Sequence, residues 1–143
     1  MSEKPVALVR PVSEEEAEGK VAEIYADIKR TKNIDFIPNF WRVLATNPDQ
    51  LDLVWGRLKT LMHPEAVGRK AKLDPLTREL LAIAVSATNG CSYCINSHTA
   101  AAMKLGLDRE ALGEALSVVA LFNSTNALAE GYQVEPDVFP PQD

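Results

Sequence analysis

Apolar residues along this chain recur at steps of three and four and nowhere alternate over a useful length, a pattern that belongs to amphipathic helices rather than strands. From Ser13 the run S-E-E-E has the form of a capping box closed by Glu16. Ala17, Val21, Ile24 and Ile28 follow on one face, which predicts a first helix ending near Arg30. A short second helix is expected over Phe40 to Ala45, with Trp41 in the core. Asn47-Pro48-Asp49-Gln50 then sets a capping side chain, a first-turn proline and a capping-box Gln in order. It opens a third helix carrying Leu51, Val54, Trp55, Leu58, Leu61 and Met62, expected to stop around His63-Pro64. Residues 65–73 read as a basic, irregular connection with one helical turn.

Asp74-Pro75 repeats the cap-plus-proline signal, and Leu80 to Val85 within the segment that follows is apolar on nearly every side. Such a helix belongs in a core or at a subunit interface. Asn89-Gly90 suits a left-handed C-cap, and a new helix is expected at once, from about Ser92 to Leu105, stopping at Gly106. Asp108 caps the last and longest helix, whose buried face is expected to hold Leu112, Leu116, Val119, Ala120 and Leu128. From Tyr132 onward Pro136, Pro140 and Pro141 enforce an extended tail. The whole reads as all-α, a bundle of about six helices with a buried central helix and an antiparallel helical hairpin. The expected organisation is one domain: an N-terminal helical extension over residues 1–47, a core over 48–130 and the tail over 131–143.

At 143 residues the chain has enough length to bury a core without disulfides or a structural metal. Fifteen basic against twenty acidic residues leave a net charge of −5, which gives no electrostatic footprint for nucleic acid or an anionic membrane. Met1 to Arg10 lacks the apolar core of a signal peptide, and nowhere do eighteen consecutive apolar residues occur. A cytoplasmic location is therefore expected. Thiols are kept reduced there, so two cysteines at short spacing point to redox or metal chemistry before they point to a structural staple.

Those cysteines are Cys91 and Cys94, in the motif Cys91-Ser92-Tyr93-Cys94. It sits where a glycine-ended helix gives way to a new one, so Cys91 falls near the N-cap and Cys94 in the first turn. The positive end of the helix dipole stabilises thiolate over thiol at both sulfurs. His98 lies one turn beyond Cys94 on the same face. If the two helices about Gly90 form an antiparallel hairpin, positions equidistant from the turn come level and Glu79 falls opposite roughly position 101, near His98, where a carboxylate orients the imidazole and raises its basicity. The relay read from these positions is Glu79, His98, Cys94, with Cys91 ready to form a disulfide. Zinc would need two further ligands, and only His98, the distant His63 or a carboxylate is at hand, so neither a metal nor any other cofactor is assigned. His63 reads as a helix C-terminal residue, and Trp41 and Trp55 as core.

Glu79, eleven intervening residues, Cys91-x-x-Cys94, three more and then His98 resemble the signature of the alkylhydroperoxidase D-like proteins in the carboxymuconolactone decarboxylase superfamily. The resemblance is strongest over residues 76–120, and the earlier A-E-I-Y, I-P-N-F and N-P segments are similar to its peroxidase-related branch. It implies an all-helical fold, assembly into a trimer or hexamer, and thiol-dependent reduction of hydroperoxides, with a dithiol reductant of lipoyl type. It also implies roles: Cys94 as the peroxide-attacking cysteine, Cys91 as the resolving one, Glu79 and His98 as the proton relay. The best-known members carry a second His before the second cysteine, where this chain has Tyr93, a side chain that is not a base near neutral pH. Two other functions use the same residues: a disulfide reductase or isomerase, and a non-enzymatic redox-sensing oligomer. The decarboxylation that names the superfamily is not expected, because the members that perform it lack the Cys pair.

Overall fold

The computed structural model describes residues 4–143, so Met1 to Glu3 of the Met1–Arg10 stretch lie outside the described residues. Six α-helices follow in order: α1 Gly19–Lys32, α2 Asn39–Leu44, α3 Pro48–Met62, α4 Pro75–Asn89, α5 Ser92–Lys104 and α6 Arg109–Gly131. A 3-10 turn over Pro64–Val67 lies between α3 and α4. The chain divides into two compact units, the first ending at Lys72 and the second spanning Leu73–Asp143.

In the first unit, α1, α2 and α3 enclose Ile24, Tyr25, Ile28, Ile37, Trp41, Leu51 and Trp55. Trp41 and Trp55 meet edge to face with ring centroids 5.3 Å apart, a favoured aromatic geometry. Asp27 of α1 ties the helices together at the edge of this core. Its carboxylate accepts from Trp55 Nε1 at 2.8 Å and from Lys59 Nζ at 2.8 and 3.0 Å. Burial raises the Asp27 carboxyl, but these hydrogen bonds and the Lys59 charge outweigh it and hold the group below its usual range.

The segment before α1 corrects one sequence expectation. Ser13 and Glu16 do make the reciprocal bonds of a capping box, each backbone N–H reaching the other's side chain at 3.2 Å. They close only a single turn, and the helix starts at Gly19, whose φ of +52° is a conformation glycine adopts readily. The preceding strap is held separately: Val12 N–H donates to the Arg42 carbonyl and the Val12 carbonyl accepts from Tyr25 Oη, at 2.9 and 2.8 Å. Burial pushes that phenol up to about 12.

The second unit is α4, α5 and α6. Asp74 caps α4 by accepting from Thr77 N–H at 2.9 Å, and Asp108 caps α6 through Ala111 N–H at 2.8 Å. Gly90, with φ +76°, ends α4 in the left-handed region and turns the chain directly into α5. Ile83, Ala102 and Leu107 form a small core, with Leu76, Leu80, Ala111 and Leu112 packed around it.

The closed apolar face expected on α6 is not found among the described residues, because α6 has no buried residue. Leu116, Ala120 and Leu128 are exposed, and Leu112 and Val119 only half-buried. One helix, α4, is too narrow to cover a 23-residue partner. On α4 itself Ile83 is buried while Leu81 and Val85 are exposed. Beyond α6 the tail has no regular structure from Val134 onward, as its prolines dictate. No helix among the described residues is long and apolar enough to cross a membrane.

Candidate active site

The hairpin of α4 and α5 brings the four candidate residues into one unit. Glu79 lies in the second turn of α4, two residues past Thr77, whose N–H bonds the Asp74 cap. His98 lies near the middle of α5. Their side chains meet across the hairpin, His98 Nδ1 to Glu79 Oε2 at 2.7 Å, with the carboxylate 15% and the imidazole 27% exposed. That contact commits one ring nitrogen, Nδ1, to Glu79, so the carboxylate fixes the orientation of the imidazole.

Cys91 and Cys94 are joined as a disulfide, Cα atoms 5.3 Å apart. Cys91 is the N-cap of α5, and its Sγ accepts from Cys94 N–H at 3.2 Å. Both residues are half-buried. Cys94 stands one turn before His98 on the same helix face, as its spacing predicts. Tyr93, between the cysteines, is 42% exposed.

Ser86 has no place in the sequence reading, yet it fixes the turn. It is the buried polar residue of α4, donating from Oγ to the Ala82 carbonyl at 2.6 Å. Its own carbonyl accepts from both Gly90 N–H and Cys91 N–H, at 2.9 and 3.0 Å. The signal available in the sequence is its position: it follows Glu79 by two helical turns, on the α5-facing side that also carries Ile83. His63 terminates α3 as its C-cap, as expected. Among the described residues no group of three or more His, Cys, Asp or Glu side chains is arranged to hold a metal ion.

The family model for carboxymuconolactone decarboxylases matches residues 59–134, which takes in α4, α5, α6 and all four candidate residues. The chain belongs to the carboxymuconolactone decarboxylase family. Within it the chain is AhpD-like. It is 29% identical over 116 residues to an alkyl hydroperoxide reductase AhpD of Streptomyces griseus, covering 79% of this chain and 62% of that protein. It is also 29% identical over 122 residues to an (R)-2-haloacid dehalogenase of Pseudomonas putida, covering 82% of this chain and 38% of the relative. Among solved structures, the alkylhydroperoxidase AhpD core of Rhodospirillum rubrum superposes with a TM-score of 0.84 at 39% identity, covering 92% of this chain and 95% of that one. The chain spans only about half to three-fifths of the first AhpD relatives' own length, 62% of one and 46% of another.

Proposed function

We propose that this protein is a thiol-dependent peroxidase that reduces hydroperoxides through the Cys91/Cys94 pair, with Glu79 and His98 as its proton relay. The observation that carries this reading is the 2.7 Å contact between His98 Nδ1 and Glu79 Oε2, on the helix face that Cys94 shares. In the reduced protein, His98 Nε2 takes the proton of Cys94. The thiolate attacks one peroxide oxygen, the O–O bond breaks, and His98 returns the proton to the departing alkoxide, leaving alcohol and a Cys94 sulfenic acid. Cys91 then attacks the Cys94 sulfur, water leaves, and the disulfide forms. A dithiol of lipoyl type restores both thiols.

The AhpD names of the relatives support this chemistry, and the separation of Glu79, Cys91, Cys94 and His98 along α4 and α5 suits it. The same reading makes the protein a homo-oligomer, a trimer or hexamer. From Ala115 to Ala129 α6 carries no charged residue, and Leu121, Phe122 and Leu128 are each more than half exposed. An apolar surface of that kind marks an interface.

The roles are tested by removing the resolving thiol. Reduced Cys91→Ser protein treated with an organic hydroperoxide should accumulate a sulfenic acid on Cys94 that a cyclic 1,3-diketone traps as a stable adduct, whereas Cys94→Ser should give almost none. Trapping on Cys91 instead would reverse the assignment. Absence of an adduct on either cysteine would remove the peroxidase reading.

A further inference from the structure

We propose that Cys91 is the leaving sulfur when the oxidised pair is reopened, so that the reducing dithiol attacks Cys94 and Cys94 bears both covalent intermediates of the cycle. This rests on the thiol-redox reading above and adds to it which sulfur the reductant meets.

The asymmetry lies in how α5 begins. Cys91 is the N-cap, and its Sγ already accepts the Cys94 N–H at 3.2 Å while the disulfide is closed. A disulfide sulfur is neutral and accepts weakly. A thiolate in the same place gains a charge-assisted bond and the favourable end of the helix dipole. The cap is rigid before the reaction starts, since the Ser86 carbonyl holds Cys91 N–H at 3.0 Å and the Cys91 carbonyl accepts from Ile95 N–H at 2.9 Å. Opening the pair toward Cys91 therefore delivers the negative charge to a donor that is already aimed. Opening it toward Cys94 would leave that donor facing a sulfur bonded to the reductant.

The base is placed on the matching side. His98 is one turn from Cys94 and two turns from Cys91, so it can accept a proton from a thiol that approaches Cys94. The first donor thiol gives its proton to His98 and bonds to Cys94 Sγ. The S–S bond breaks and its electron pair goes to Cys91 Sγ, which becomes a thiolate. The second donor thiol, its proton released to water, attacks the donor sulfur on Cys94. The donor closes to its own disulfide, and the Cys94 thiolate regains the proton held by His98. The donor is oxidised by two electrons and the pair is reduced by two.

The test uses the oxidised full-length protein and 2-mercaptoethanol. The reaction is quenched with acid after brief exposure, free thiols are blocked with N-ethylmaleimide, and the chain is cleaved after Tyr93 so that the two cysteines fall on different peptides. Mass spectrometry should find mercaptoethanol on Cys94 with maleimide on Cys91 in several-fold excess over the reverse, since the better-stabilised thiolate leaves faster. Equal amounts, the reverse pattern, or a pair that does not open would each overturn the proposal. As a second arm, Cys94→Ser protein should form the Cys91 thiolate, read by its ultraviolet absorbance, at lower pH than an ordinary cysteine. Ionisation at or above the ordinary range contradicts the proposed cap. Neither arm uses hydroperoxide, so a protein inert to peroxide would sink the peroxidase reading alone and leave this result standing on its own.

Discussion

Replacing Glu79 by Gln isolates the charge of the relay from its shape. The side chain keeps its length and an acceptor oxygen opposite His98 Nδ1, now 2.7 Å from Glu79 Oε2, but loses the negative charge. Hydrogen bonds to charged groups contribute roughly 1.5–3 kcal/mol against roughly 0.5–1.5 kcal/mol for neutral ones. The site is only partly open to water, with Glu79 15% exposed, so solvent makes up little of the difference. The attraction is felt when His98 holds the Cys94 proton and is positively charged, so about 1–1.5 kcal/mol of transition-state stabilisation is lost. At 1.36 kcal/mol per decade, Glu79→Gln should react with hydroperoxide about tenfold more slowly at neutral pH. His98→Ala, which removes the base itself, should be slower by ~10²–10⁴-fold. The assay is rapid-quench counting of free thiols in reduced protein, with circular dichroism to confirm that the helices survive. A Glu79→Gln variant that matched the wild-type rate, or a His98→Ala variant faster than Glu79→Gln, would refute the relay.

Leu51 is completely buried and Leu53, two residues on, is 75% exposed; Leu51→Ala should cost ~2–5 kcal/mol in urea unfolding and Leu53→Ala less than about 0.5 kcal/mol, and similar losses would contradict the packing of α3. The Asp27 carboxyl is held below its usual range, so its contribution is complete above the ordinary aspartate range near pH 4 and is lost as pH falls through the lowered value. Asp27→Asn should accordingly be less stable than wild type at neutral pH but lose less on acidification, and parallel acid profiles would show that the contacts to Trp55 and Lys59 contribute nothing. Light scattering should give a multiple of the 15.7 kDa chain mass, lowered by Leu121→Glu or Phe122→Glu; a wild-type monomer at micromolar concentration would leave the apolar surface of α6 without its proposed partner.

Features encoded within a few residues were legible in the sequence. The caps at Asn47, Asp74 and Asp108 each accept the backbone N–H three residues on, because that bond is local to the motif. Glu79 and His98 could be brought near each other in advance because both are referenced to one turn at Gly90: a tight hairpin sets Glu79 opposite roughly position 101, one turn from His98, and the side chains close the rest of the gap at 2.7 Å. The Ser13–Glu16 box was misleading for the opposite reason: its two bonds define one turn and carry no information on whether the next residues continue it. Asp27, Trp55 and Lys59 meet only because α1 packs on α3, a long-range crossing that neither helix specifies alone. Periodicity likewise marked the apolar face of α6 but not what covers it. Ser86 escaped notice because a helical serine usually bonds its own preceding turn, as this one does, and its role at the hairpin comes through its backbone carbonyl.

The central claim is that Cys91 and Cys94 act together as a two-electron pair toward hydroperoxide. Anaerobic titration of the fully reduced protein with an organic hydroperoxide, followed by mass spectrometry of the blocked thiols, tests it most directly. The expected result is an endpoint at one hydroperoxide per chain, with both thiols consumed and a Cys91–Cys94 disulfide formed. Thiols that persist through an excess of hydroperoxide, or oxidation that stops at a single cysteine without closing the disulfide, would contradict it.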